Sequence, residues 1–318
     1  MLWTDVAAPP EKPAPAPTDR VRPANRRRRR SRARTSRAQW RAGYLLTAPA
    51  VLAITIFFFV PMLYSLYWSL TDYNGITAPK WVGTHNYTDV LSDPLFRKAW
   101  RNTAVYAVIT MSVGPALGLA SALLLNQKIK ARGLFRAAYF LPVTTSLVVV
   151  ATIWKLLLND QGLLNRLLAL VGITGHDWLS DPSTSLLSVS AASIWQGFGF
   201  ETVVFLAALQ TVSRDLYDAA RVDGAGARRL FWHVTLPAIR PTLIFVYIVG
   251  LIGAFQAFDQ MYVMTNGGPI ESTSTVVYYL VDRFRALDLG HASAAAYLLV
   301  LVLGGVAALL LRLGRDTR

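Results

Sequence analysis

Residues 42–71 run for 30 consecutive positions without an Asp, Glu, Lys or Arg. About 20 apolar residues in a helix already cross the hydrocarbon core of a bilayer. A secretory signal has a much shorter apolar stretch and a small-residue cleavage site, so this run reads as an uncleaved first span. Five more runs follow: 103–125, 137–154, 182–213 interrupted only by Glu201, 241–258 and 292–311. Inside lipid each segment must satisfy its own backbone N–H and C=O groups, which requires helices rather than open strands. The expectation is an all-α membrane protein with six transmembrane helices. Composition agrees: 53% of the chain is apolar and 16% charged, against about a quarter charged in soluble domains.

The net charge of +14 invites a nucleic-acid reading, which its distribution argues against. Twelve of the 32 Lys and Arg fall in residues 1–41, including the run 26–30, in a Pro-, Ala- and Arg-rich stretch with no hydrophobic period. This reads as a disordered basic cytoplasmic tail, tethered where anionic lipid attracts each basic residue by about 1 kcal/mol. Residues 42–318 form the expected six-helix domain. Counted by connection, 24 basic residues lie on one side of the six spans and eight on the other. The positive-inside rule then places both termini in the cytoplasm.

Several chemistries lack their residues. None of the six lysines follows a glycine, so no P-loop is present and the chain cannot bind ATP through a Walker motif of its own. His85, His176, His233 and His291 are dispersed, without metal-ligand spacing, and there is no cysteine to complete a site. No G-x-S-x-G elbow occurs. The expectation is neither a catalytic nor a metal site, and no cofactor held by this chain.

The cytoplasmic connection at about 211–240 has an amphipathic first half, residues 215–222, then the turn signal Asp223-Gly224. A second short helix is expected to end before Pro237. On its residues alone the loop could be a linker lying on the bilayer surface. Asp218-Ala219-Ala220, Asp223-Gly224-Ala225 and Val234-Thr235-Leu236-Pro237, in this spacing, resemble the EAA loop of ABC importer inner-membrane subunits. The resemblance covers almost the whole chain after residue 42 and is strongest to sugar-importer permeases, on the MalF-like or UgpA-like side of the heterodimer. Further matching patches are residues 81–87, Asn102-Thr103, residues 136–142, Gly162-Leu-Leu-Asn165, Phe258-Asp259, residues 265–269 and residues 290–294. One departure is Asp218, where the family's loop carries glutamate.

The resemblance implies a type I ABC importer permease fold in a bacterial plasma membrane. It implies as partners a second permease subunit, a cytoplasmic ATPase dimer that binds ATP and Mg2+, an extracytoplasmic solute-binding protein and a carbohydrate or glycerophosphate-type solute. Asp218, Ala219, Ala220, Asp223, Gly224, Leu236 and Pro237 would then couple the permease to its ATPase.

Polar groups in lipid are costly unless they face protein or water. Ser193, Gln196, Gly197, Phe200 and Glu201 fall at i, i+3, i+4, i+7 and i+8 of span four, on one helix face. Gly250, Gly253 and Ala254 share a face of span five, with Gln256 and Asp259 near its outer end. Two readings stay open: a solute-lining face, or helix packing with Gly197 as the point of close approach. The competing function classes are an ion-coupled secondary transporter using Glu201 and Asp259, and an intramembrane enzyme.

Overall fold

The computed structural model describes residues 37–127, 130 and 132–315. Most of the expected basic tail lies outside these residues. The chain divides between Phe57 and Phe58 into two compact units. In the first, α1 (Arg37–Ile54) begins inside the stretch read as tail. The Thr47 hydroxyl donates to the Gly43 carbonyl at 2.9 Å, and the large apolar side chains of this helix are exposed.

Among its described residues, the second unit consists of helices and their connections with one two-stranded ribbon. After a π-helical turn at Thr55–Phe59 come α2 (Val60–Ser69), β1 (Thr71–Asp72), β2 (Lys80–Trp81), α3 (His85–Ser92) and α4 (Pro94–Leu125). The strands pair antiparallel, Thr71 opposite Trp81. Next are α5 (Arg132–Thr144), α6 (Leu147–Leu157), α7 (Leu163–Leu170), α8 (Ser185–Thr211), α9 (Arg214–Val222) and α10 (Ala227–Leu230). A second π-helical turn, Phe231–Thr235, leads into α11 (Leu236–Phe255), followed by α12 (Asp259–Thr265), α13 (Val276–Arg285) and α14 (Leu289–Arg315).

Among the described residues, four helical stretches are long and apolar enough to span a bilayer: Gly43–Ser69, Pro94–Leu125, Ser185–Thr211 and Leu289–Arg312. The third expected span, 137–154, is broken internally, and the fifth, 241–258, is joined at a bend to the helix that precedes it. Gly133–Thr144 and Leu147–Leu157 meet at 99°, and Ala227–Ala238 and Arg240–Phe255 at 66°. Each bent pair counts as one span in a six-span chain. Pro142 and Pro241 sit at these bends, where a missing N–H removes the helical bond that would keep the axis straight.

α4 packs along α8 and also against α11. Its start is set by Asp93, whose carboxylate accepts the Leu95 N–H at 2.8 Å, with Pro94 in the first turn where an N–H would have no partner. Two apolar clusters hold the bundle. One joins Phe96, Tyr106, Ala151, Val189, Ala254 and Met261, and the other joins Ala122, Leu125, Phe205, Leu206, Ile239 and Val246. Between them lie residues 108–118 of α4, 193–203 of α8 and 247–250 of α11.

Candidate functional site

A cavity of about 420 Å³ begins in that interval and extends along α11, past Tyr106 and Ala254 of the first cluster, as far as Gln260. Nine residues singled out from the sequence line it: Ser193, Gln196, Gly197, Glu201, Gly250, Gly253, Ala254, Gln256 and Asp259. Tyr106, Thr110, Met111 and Gly114 of α4 close another side, with Leu147 at the start of α6. Phe200 does not line it, and Phe198 does. The lined stripe moves round α8, from Ser193 and Gln196 in one turn to Phe198 and Glu201 in the next. Phe200 lies about 100° from Glu201 on the helix surface and is 37% exposed.

The α4 residues were missed in the sequence. Their signal was available: Tyr106, Thr110 and Gly114 recur every fourth position and so share one face.

Polar groups in the cavity are incompletely matched. The Gln196 amide donates to the Thr145 carbonyl at 3.2 Å, at the break between α5 and α6, where helix geometry leaves carbonyls without partners. Among the described residues, the Gln196 Oε1 and Glu201 Oε2 atoms are buried without a hydrogen-bond partner. Irregular backbone and unmatched acceptors are tolerated at membrane depth where they border a cavity.

The glycines divide into two kinds. A Cβ on Gly199 would lie 1.8 Å from the Tyr139 carbonyl oxygen, and one on Gly118 would lie 2.7 Å from the Glu201 Cβ. These glycines allow α5 and α4 to reach α8. A Cβ on Gly197 or Gly253 would meet nothing within 4 Å, so both border open space. Within the described residues of this chain, Gly197 is therefore not a point of close approach between helices. Trp195 packs edge-on against Trp154 at 5.8 Å.

The loop after α8 carries the second set of residues. Ser213 caps α9 by accepting the Asp215 N–H at 3.2 Å. Tyr217 tethers α9 to the next segment through Thr235 at 3.1 Å. Asp218 and Ala219 are exposed, Ala220 is half-buried, and Leu216 and Val222 expose 53% and 87% of their surface. Asp218 is paired within α9 to Arg221 at 2.8 Å, an exposed contact of about 0.2–1 kcal/mol that another partner can displace. Gly224 turns the chain at φ +79°. Pro237 does not stop a helix as expected. It occupies the first turn of α11, which continues from α10 through the π-helical turn, and the chain changes direction near Arg240. Pro237 thus lies inside a helical path and just before its bend, where its missing N–H removes one bond from the ladder.

No three His, Asp or Glu side chains converge as a metal-ligand set among the described residues.

Residues 114–313 match the family of binding-protein-dependent transport system inner membrane components. That interval contains both the cavity face of α8 and the loop. The chain belongs to this family. Over 275 residues it is 37% identical to a probable ABC transporter permease, y4oQ, of Sinorhizobium fredii, covering 85% of this chain and 89% of that protein. It is 32% identical over 292 residues to the trehalose/maltose transport system permease MalF of Thermococcus litoralis, covering 89% and 98%. In three dimensions it resembles a chain of a bacterial alginate ABC transporter solved in complex with an alginate pentasaccharide-bound periplasmic protein. That match has a TM-score of 0.77 at 21% identity and covers 88% of this chain and 96% of the other. The fold is that of ABC importer permeases, and the chain is a membrane-spanning transport subunit, not an enzyme.

Proposed function

We propose that this chain forms half of the translocation path for a carbohydrate and couples it to ATP hydrolysis by a separate subunit. Both termini are cytoplasmic in this reading. A second permease completes the path, and an external solute-binding protein delivers the solute. The observation that carries the path assignment is the mid-bundle cavity, with its unmatched Gln196 and Glu201 oxygens and its two glycines facing open space. A sugar hydroxyl can donate to each free oxygen, and a missing bond of this kind costs about 1–3 kcal/mol when the group is buried. The trehalose/maltose relative supports a carbohydrate as the solute class.

For coupling, the exposed face of α9 offers a short rigid helix held to the permease through Tyr217. Asp218, Ala219, Ala220, Asp223 and Gly224 form the contact with the ATPase, while Leu236 and Pro237 carry the connection into α11.

The test is uptake into proteoliposomes holding both permeases, the ATPase and the binding protein. Uptake should require enclosed ATP and survive collapse of proton and sodium gradients. Gln196→Ala should reduce it while the complex stays assembled, and Phe200→Ala should reduce it less. Uptake that needs an ion gradient and no ATP would reinstate Glu201 and Asp259 as coupling carboxylates of a secondary transporter.

A further inference from the structure

The cavity has a chemical sign that the fold does not dictate. Among its described lining residues are two carboxylates, Glu201 and Asp259, and no Lys, Arg or His. Charges facing a cavity with low-dielectric walls act more strongly than the same charges in water. An ionised carboxylate here, with no cation in the described lining to offset it, holds a negative potential over the space a solute must cross.

Hydrogen-bond polarity gives a second, independent indication. The buried side-chain atoms left unmatched in the described cavity lining, Gln196 Oε1 and Glu201 Oε2, are both acceptors. The Gln196 amide nitrogen does not balance them, because it donates to the Thr145 carbonyl. A ligand that satisfies these two oxygens brings donors to them. Hydroxyl and ammonium groups do so; phosphate, sulfonate and carboxylate groups bring only acceptors and a repelled charge.

Resting on the proposed path, we infer that this half of it admits neutral polyols and cationic amino sugars and turns away phosphorylated, sulfonated or carboxylated ones. The same fold serves an acidic polysaccharide in the alginate transporter, so the selection lies in the lining and not in the architecture.

The chain's lack of cysteine permits a direct test in the assembled transporter, with the partner chains' own thiols replaced. Ser193→Cys places a thiol in the cavity with little change of shape. Gly253→Cys, at a position with nothing within 4 Å, serves as the second variant should the first fail to assemble. Each is reacted with three methanethiosulfonate probes: cationic trimethylammonium-ethyl, anionic sulfonatoethyl and neutral methyl. Rates are divided by those for a free thiol in solution.

The normalised cationic rate should exceed the anionic rate at least about tenfold, as expected of like and unlike charges a few ångströms from a carboxylate. Adding Glu201→Gln and Asp259→Asn should bring the ratio toward one. A ratio near one in the unmodified lining overturns the inference while leaving the path intact. A cation supplied by the partner permease would produce that result. Thiols unreactive to all three probes, the neutral one included, would overturn the path assignment itself.

Discussion

At Gly199 a single methyl group decides whether two helices can touch. The Tyr139 carbonyl oxygen stands 1.8 Å from where its Cβ would be, so Gly199→Ala must push α5 away from α8. Overpacking of this kind costs about 1–3 kcal/mol. Thermal unfolding of the purified complex should show a lower midpoint for Gly199→Ala than for Gly197→Ala, whose added methyl enters open cavity. Equal midpoints would contradict the division of the glycines. The polar spacing on α8 was legible in the sequence because a helical face follows from i, i+3 and i+4 alone. Which glycine is crowded was not, since crowding depends on the neighbouring helix. Phe200 was misplaced for the same reason: the face turned to the cavity rotates along α8 in a way only the crossing helices define. Other family-like residues act as fastenings. Asn102 donates to the Glu271 and Ser274 carbonyls at 2.8 and 2.9 Å. Asn165 donates to the His176 carbonyl at 2.9 Å and accepts the Trp178 ring N–H at 2.8 Å.

Among elements, α9 and its turn carry the sharpest expectation. Gly224 adopts φ +79° with empty space around it, so conformation, not crowding, penalises a side chain there. A left-handed backbone costs about 1–2 kcal/mol for an ordinary residue, and β-branched valine is worse placed than alanine. Gly224→Val should therefore reduce co-purification of the ATPase or solute-stimulated ATP hydrolysis more than Gly224→Ala does, while solute binding by the separate external protein is unchanged. Asp218→Glu keeps the charge within reach of Arg221 and should be tolerated, whereas Asp218→Lys should not. Full stimulated transport by a Gly224→Val and Asp218→Lys double variant would remove α9 as the coupling element. The turn was readable from Asp223-Gly224 because few residues tolerate positive φ. The 99° break of the third span was not, because residues 137–154 are almost uniformly apolar and Pro142 was the sole local sign. Tertiary contacts at the break, such as Gln196 with Thr145, complete a corner that a hydropathy pattern does not encode.

Across the whole molecule, the far end from α9 is fastened by charge. Asp93 accepts from Arg283 at 2.6 Å and from Tyr279 at 2.7 Å, which joins the start of α4 to α13. Burial pushes the Asp93 carboxyl up, but hydrogen bonds from Tyr279, the Leu95 N–H and Arg283 outweigh it and hold the group below its ordinary range. A carboxylate lowered in the folded state contributes stability above its ordinary value and loses it as pH falls through the folded one. The unfolding midpoint of the complex should thus drop below about pH 4, and Asp93→Asn should flatten that drop. Topology can be tested with the same cysteine-free background. The imbalance of 24 basic residues against eight requires each bent pair to cross the membrane. A pair that dipped in and returned would leave both its ends on one side and reverse the sides of every later connection. Impermeant thiol labelling of intact cells should therefore reach Gly83→Cys, Asp177→Cys and Pro269→Cys from outside, and Gln127→Cys and Gly226→Cys only after the membrane is opened. Gln127 and Asp177 flank the α5–α6 pair, so labelling both from the same side would make that pair re-entrant. Gly226 and Pro269 flank the second pair and apply the same test to it. Opposite sides for both comparisons leave six crossings and both termini with the basic connections, where the α9 face can meet a cytoplasmic ATPase.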